Sequence, residues 1–550
     1  MPVEVSLDHP LRRPVGANTV VLLAAAWLVL TQNLAFARAV LGSLPPAMGL
    51  RESLFLAAIG LLLLALLAAL LALFAWPRVL KPALVVVLLV AAICSYFMDS
   101  FRVVIDHSMI LNMAETDVHE AADLLRTRFL LHVLLQGVLP AFLVAQANIV
   151  YGKPLAELGR RAALIAICLA LIAACVGAQY KEFSLWGRAH REVRLYANPT
   201  YPLYSVWQYL RSRSAPAAKK AIEPIATDAT RHAAPGARPL LVVLVIGETA
   251  RAANFQLDGY ARPTNPRLVA AGDVINYPDT WSCGTSTAES LPCMLSPLGR
   301  AAYSKGTATG EENILDLLKR VGVRVTWRDN NSGCKEMCIR VDTEYFPNGR
   351  DDDLCTGGEC FDEVLLRRLA GYFPPAGGIG LLVLHQKGSH GPAYHERYPA
   401  EFRKFVPDCV DANVQQCSRE EIANAYDNTL LYTDHVLGTL IALLRTHQEQ
   451  VDSLMLYVSD HGESLGENGI YLHGLPYALA PDEQKHIPMV AWLSSHAPDA
   501  LRLDRGCLER ESKRRHSHDN LFHSLLGLFA VSTATYVPAL DMYQACRHAP

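Results

Sequence analysis

The chain has 550 residues, 51% hydrophobic and 19% charged, with a formal charge of −3 from 50 Lys and Arg against 53 Asp and Glu. That balance leaves no basic field to hold a nucleic-acid backbone, and 35 Gly and 32 Pro without a period exclude collagen-like and low-complexity classes. The apolar residues crowd the first third in uninterrupted runs while the remainder reads as a soluble enzyme, so a membrane-anchored protein is expected.

A bilayer core takes about 20 helical residues per crossing. Five runs meet that length: roughly 18–37, 54–76, 83–98, 129–150 and 162–178. Gln32 and Asn33 in the first run, and His132 and Gln136 in the fourth, are expected to pack inside the bundle. The four later runs argue against a cleavable signal in the first. Arg12, Arg13, Arg78, Lys81, Lys153, Arg160 and Arg161 fall on one side of these spans, which marks that side as cytoplasmic and puts everything after about residue 179 outside. Between the third and fourth spans the loop 99–128 has helical spacing. Ile110, Met113, Ala114, Val118, Ala121 and Leu125 form one face and Asn112, Thr116 and Glu120 a polar line on another, which reads as an interfacial amphipathic helix or a merely solvated polar face. An aromatic-rich stretch, 180–214, suits the headgroup level, and the Ala, Pro and Lys of 214–238 read as a linker.

Beyond the linker, strand-like runs LLVVLVIG (240–247), VRVTW (323–327), GLLVLHQ (380–386) and LMLYVSD (454–460) alternate with helical stretches such as 422–444, where His435 reads as an ordinary helix histidine. The alternation predicts a largely parallel sheet covered by helices. Of 13 cysteines, ten lie beyond residue 280 in close pairs: Cys283 with Cys293, Cys334 with Cys338, Cys355 with Cys360, and Cys409 with Cys417, leaving Cys507 with Cys546 as a fifth. None forms the matched CxxC pairs of a zinc ribbon, so disulfides in an oxidising compartment are expected, in agreement with the outside location.

Three strands run into polar residues at their carboxyl ends, where open α/β sheets place ligand sites. The first leads to Glu248, the last to Asp460, His461 and Glu463 with His473 close behind, and the middle one to Ser389 and His390. Each alone is a cap or a structural histidine; together they offer the oxygen and nitrogen donors that zinc takes. A nucleophile is available in Ser282–Ser290, where a hydroxyl at a helix start meets backbone N–H donors suited to a phosphoryl oxygen, although Ser282, Thr285, Ser286 and Thr287 are not distinguished by spacing and a helix cap is the plain alternative.

The segments IGETARAANFQLDGYARPTNP, SCGTSTAESLPCMLS, DNNSGCK, GSHGPAY, SDHGESLGENGIYLHG and NMAETDVHEAADLL resemble the phosphoethanolamine transferases that modify lipid A, including the mobile colistin-resistance enzymes, in the alkaline phosphatase and sulfatase superfamily. The likeness covers essentially the whole chain. It implies a five-helix transmembrane bundle in 1–179 with the loop near 99–128 in the periplasm, an interfacial bridge and linker in 180–238, and a periplasmic catalytic α/β domain with a mainly parallel sheet in 239–550. Carried over by motif, it implies that Glu248, Thr287, Asp460 and His461 hold a catalytic zinc and that Thr287 is the nucleophile. His390 and His473 would take the transferred phosphate or a second, weaker zinc. Lys335, Asn331 and Glu463 would contact the ethanolamine phosphate, and Asn112, Thr116 and Glu120 the phospholipid headgroup. Glu336 and Met337 between Cys334 and Cys338 depart from the family pattern.

The implied reaction takes phosphoethanolamine from phosphatidylethanolamine to lipid A at the inner-membrane surface through a threonine ester, with polymyxin resistance as the phenotype. The rivals are the same transfer to Kdo or heptose of the core, a membrane-anchored phosphodiesterase or sulfatase that passes the ester to water, and a non-catalytic receptor for phospholipid headgroups.

Overall fold

The computed structural model describes residues 14–115, 127–214, 222–232, 238–346, 353–356, 359–412 and 414–548. Its contacts divide the chain into two units, Met1–Ile110 with Leu125–Ser212, and Leu111–Leu124 with Arg213–Pro550.

The first unit is helical: α1 (Ala17–Gln32), α2 (Leu34–Gly42), α3 (Leu50–Ala72), α4 (Leu80–Ser100), α5 (His107–Glu115), α6 (Thr127–Gln146), α7 (Pro154–Ala178), α8 (Tyr180–Ala189) and α9 (Thr200–Ser214). Among the described residues α3, α4, α6 and α7 are long and apolar enough to cross a membrane, and α1 with α2 forms a pair bent by 59°. The expected five spans are therefore four, or five if the bent pair counts as one. Asn33 is the cause of the bend. Its amide donates to the carbonyls of Leu28 (2.9 Å) and Asn198 (2.7 Å), and its side-chain oxygen accepts the Asn198 N–H (2.9 Å), bonds that compete with the helical ladder. Asn198 completes the knot by donating to the carbonyls of Gln32 (3.0 Å) and Ala91 (2.8 Å). In α6 the turn Leu134–Val138 widens to a π-helix, and the Gln136 carbonyl accepts from Gln32 Nε2 (2.6 Å) and Trp27 Nε1 (3.2 Å). Gln32 and Asn33 are buried as their sequence context demanded, and half-buried His132 bonds Ser95 at 2.9 Å. Within the loop between the third and fourth spans, α5 ends at Glu115, so Asn112 lies on a helix; Thr116 and Glu120 lie outside the described residues, as do Arg12 and Arg13.

The second unit is built on a seven-stranded sheet of β1 (Leu240–Gly247), β2 (Ile275–Asn276), β3 (Arg324–Asp329), β4 (Asp342–Tyr345), β5 (Ile379–His385), β6 (Asp452–Ser459) and β7 (Met489–Leu493), in the order β2-β7-β6-β1-β5-β3-β4. From β6 to β4 neighbouring strands pair parallel, whereas β7 pairs antiparallel with both β6 and β2. The expectation of a mainly parallel sheet is thus corrected to a mixed one. An unbroken apolar strand is buried on both faces whichever way it runs, so its composition does not encode its direction.

Alternation along β1 feeds two cores. Val242, Leu244 and Ile246 pack with α10 (Thr287–Met294), α11 (Ile314–Arg320) and α13 (Asp519–Leu528) on one face. Leu241, Val243 and Val245 pack with Leu437, Leu440, Ile441 and Leu444 of α12 (Arg419–Thr446) on the other. Each such buried aliphatic side chain contributes about 1.5–3 kcal/mol over its exposed state. A capping box starts α12, with Ser418 N–H on Glu421 Oε2 (2.7 Å) and Glu421 N–H on Ser418 Oγ (3.2 Å). Residues 222–232 pack on this unit as well: Thr230–Arg231 pairs with Val531–Ser532, and Ile225 and Ala226 lie against the core.

The four cysteine pairs expected from spacing are joined, and so is the pair they left over. Cys283 is bonded to Cys293, Cys334 to Cys338, and Cys507 to Cys546. Cys355 is bonded to Cys360, which closes the two-stranded ribbon where Cys360 pairs with Cys355 across the strands. Cys409 is bonded to Cys417 just ahead of α12, in the segment where the Cys409 N–H donates to the Glu421 carbonyl (2.9 Å). Cys94, Cys168 and Cys175 are free.

Candidate active site

Four adjacent strands end level with one another, because the register pairs Ser459 with Gly247, Ile246 with His385, and His385 with Asp329. The first residues beyond β1 and β6 are therefore neighbours: Glu248 beside Asp460, with His461 next along. The chain turns sharply after Glu248 through Thr249, whose φ of +53° is unusual for a β-branched residue. That turn is held by Asp460 Oδ1, which accepts the Thr249 N–H (3.2 Å), and by Tyr426, whose hydroxyl donates to the Thr249 carbonyl (2.7 Å).

Ligand atoms of Glu248, Asp460 and His461 all lie within 4.8 Å of one another, and the three side chains are fully buried. His461 Nδ1 faces the Gly462 carbonyl (2.9 Å), which turns Nε2 toward Glu248 Oε1 (3.3 Å) and Asp460 Oδ2 (3.4 Å). Burial opposes the charged imidazole, yet Asp460 and Glu248 push His461 up to about 10. Burial and the Glu248 charge push Asp460 up to about 7, while the bond and charge of His461 outweigh burial and hold Glu248 well below the usual carboxylate range. Two buried carboxylates crowded on one imidazole constitute an excess of negative charge that a divalent cation relieves. Apart from the facing His461 Nε2, Glu248 Oε1 and Asp460 Oδ2 are moreover buried without a hydrogen-bond partner. These observations fit zinc, and the residues that would hold it are Glu248, Asp460, His461 and Thr287. The cluster of Cys283, Cys293 and Asp519 does not compete, since both sulfurs are in a disulfide.

The structure separates Thr287 from Ser282 and Thr285 among the hydroxyls that spacing left equivalent. Ser282 donates to the Gly284 carbonyl (2.6 Å), Thr285 to the Leu475 carbonyl (2.6 Å), and Ser290 accepts the Gly284 N–H (3.0 Å). Thr287, the first residue of α10, instead directs Oγ1 to Glu248 Oε2 (3.0 Å), with His461 Nε2 at 3.4 Å.

Around this quartet stand the other expected residues. The His473 ring centre lies 4.4 Å from that of His461 and 5.6 Å from that of His390. Glu463 is buried with both oxygens engaged, accepting from the Tyr394 hydroxyl (2.6 Å) and facing His473 Nδ1 (2.8 Å). The Asn331 amide donates to Glu248 Oε2 (2.6 Å). Lys335 Nζ donates to Ser332 Oγ (3.0 Å) and to the Ser332 carbonyl (3.2 Å). The loop that presents His390 is clamped from behind: Arg397 Nε donates to the His390 carbonyl (3.0 Å), and Glu359 pairs with both Arg397 and Lys387. Sequence reasoning missed Tyr394, Glu359, Asp329 and His385. For the last two a signal existed, since each closes a strand run with a titratable residue.

The sulfatase family profile matches residues 241–531, and the profile described as phosphoethanolamine transferase EptA/EptB matches residues 63–214. The chain is 39% identical over 549 residues to the phosphoethanolamine transferase EptA of Escherichia coli (strain K12), covering 98% of this chain and 99% of the relative. It is 38% identical over 531 residues to the phosphatidylethanolamine transferase Mcr-1 of Escherichia coli, covering 95% and 96%. Among solved structures it is similar to the integral membrane lipooligosaccharide phosphoethanolamine transferase A (EptA) from Neisseria meningitidis, with a TM-score of 0.93 at 34% identity over 97% of this chain and 99% of that one.

Proposed function

The chain belongs to the phosphoethanolamine transferase family, and on that premise we propose that it moves phosphoethanolamine from phosphatidylethanolamine to a phosphate of lipid A through an ester on Thr287. It is a multi-pass inner-membrane transferase whose disulfide-tied domain lies in the periplasm. The observation that carries the reading is the Thr287 hydroxyl, 3.0 Å from Glu248 and 3.4 Å from His461 at the level ends of the strands.

Glu248, Asp460, His461 and Thr287 are the residues that would hold a zinc ion, which would supply a Lewis acid lowering the pKa of the threonine hydroxyl, as zinc lowers that of water to about 7. Thr287 Oγ1 forms a bond to the donor phosphorus while the P–O bond to diacylglycerol breaks, and the leaving oxygen gains the proton that the threonine gives up. Glu463 holds His473 by Nδ1, which leaves Nε2 as the position from which a proton reaches the leaving oxygen; His390 is the second candidate acid. Lys335 and the two histidines offset charge on the phosphoryl oxygens; a second, weaker zinc at His390 and His473 would be the alternative use of the same two rings. In the return half, a lipid A phosphate oxygen bonds to the same phosphorus as the bond to Thr287 breaks, and the proton that the acceptor phosphate gives up goes to the Thr287 oxygen. Asn112, Thr116 and Glu120 contact the donor headgroup. Buried Glu463 faces His473 and half-buried Asn331 donates to Glu248, which supports orienting roles for both alongside contact with the ethanolamine phosphate.

Lipid A from a polymyxin-sensitive Gram-negative host tests this, with the wild-type chain and Thr287→Ala expressed in parallel. A phosphoethanolamine-sized mass increase with the wild type alone is expected. Modification appearing only on Kdo or heptose moves the acceptor to the core, and release of free phosphoethanolamine without any acceptor product makes the chain a phosphodiesterase.

A further inference from the structure

Two buried residues outside the quartet hold its first ligand. Asp329 and His385 are the last residues of β3 and β5, and the register sets them side by side. Both side chains are inaccessible to solvent. Asp329 Oδ2 lies 3.0 Å from His385 Nδ1 and accepts from Trp327 Nε1 at 2.7 Å, while Oδ1 accepts the Asn331 N–H at 2.9 Å. His385 Nε2 lies 3.2 Å from the Asn331 amide nitrogen, which donates to Glu248 Oε2 at 2.6 Å. A line of hydrogen bonds thus runs from the sheet core to the carboxylate.

The donors and acceptors along that line admit one arrangement. An amide nitrogen has two hydrogens, and here one goes to Glu248. The other meets His385 Nε2 productively only if that nitrogen carries a lone pair, which requires the proton on Nδ1, the side Asp329 accepts from. The Asn331 oxygen accepts the Ser332 N–H at 2.7 Å, which opposes an amide flip. Asp329 therefore selects the His385 tautomer, His385 fixes the Asn331 amide, and the amide fixes Oε2 of Glu248, turning Oε1 toward Asp460 and His461. Outer hydrogen-bond partners of this kind orient metal ligands and tune affinity.

We propose that Asp329 and His385 are positioning residues that act through Asn331 to hold Glu248 in the geometry a zinc ion requires. The proposal rests on the reading of Glu248 as a zinc ligand.

The test uses the full-length chain in detergent: wild type, His385→Phe and Asp329→Asn, each titrated with zinc against a competing chelator and melted without metal. Both variants are expected to bind zinc about 10–100-fold more weakly, with metal-free melting points close to wild type and with turnover recovering at saturating zinc while KM for phosphatidylethanolamine stays unchanged. Asp329→Asn keeps the side-chain shape and an acceptor for Trp327, so it carries the test if the ring substitution lowers the folded yield. Wild-type zinc affinity in both variants, or a loss of affinity matched by a fall in the metal-free melting point, overturns the proposal. A wild-type chain that takes up no zinc overturns the metal reading and this inference together.

Discussion

At the scale of single residues, the site depends on close approach and on charges kept from water. Gly388 has φ +52°, and a Cβ there would stand 2.7 Å from the Glu248 carbonyl oxygen. Gly388→Ala should therefore displace Glu248 or the His390 loop, costing about 1–3 kcal/mol in stability and most of the transfer activity; a variant with normal thermal midpoint and normal lipid A product contradicts the packing. Asp258, outside the ligand cluster, behaves differently. Burial pushes its carboxyl up to about 7, against one hydrogen bond from Asn276. Its folded value lies above its unfolded value, so its contribution is full below about pH 4 and is lost as the pH rises through about 7. Asp258→Asn should raise the melting point at pH 8, by roughly 2 kcal/mol in stability, with a gain that fades toward pH 4. A gain independent of pH would trace the effect to something other than this charge.

At the scale of elements, the disulfides separate stability from activity. Cys283–Cys293 closes a separation of 10 residues around Thr287, and Cys507–Cys546 one of 39 near the C-terminus. Loop-closure entropy assigns about 3 kcal/mol to the first and about 4 kcal/mol to the second. Replacing the second pair by serine should thus cost more melting temperature, and replacing the first should cost more transfer, because α10 carries Thr287, the proposed nucleophile. The reverse order in a lipid A assay would show that the Thr287 segment is held by its hydrogen bonds alone. This element also shows where reading the sequence stopped. Four of the cysteine pairs were legible from close spacing and the fifth, 39 residues apart, was only what they left over, whereas the choice of Thr287 over Ser282 and Thr285 was not legible, since it depends on carbonyls such as that of Leu475, distant in sequence.

At the scale of the whole molecule, the proposed donor and acceptor would both keep their acyl chains in a bilayer, so an enzyme that joins them has to work at its surface. Membrane helices and a disulfide-tied domain in one chain meet that condition. Adding a cationic ethanolamine to an acidic sugar phosphate lowers the negative surface charge that draws polycationic peptides. Hosts expressing the wild-type chain should therefore show raised polymyxin tolerance, lost with Thr287→Ala. Unchanged susceptibility in a strain whose lipid A carries the modification would sever the phenotype from the chemistry.

Local pattern was enough for the apolar runs, the four main strands, the paired cysteines and the polar residues at strand ends, because each is written within a few residues of contiguous chain. Glu248, Asp460 and His461 were read from the strand ends and Thr287 was singled out by resemblance, but their meeting is a product of register: Ser459 beside Gly247 and His385 beside both Ile246 and Asp329. Register, the reversed direction of β7 and the bend at Asn33 were decided only in the tertiary structure. A buried strand presents the same apolar sequence in either direction and at any offset, and a polar residue in a helix bends it only when a distant partner such as Asn198 takes its hydrogen bonds.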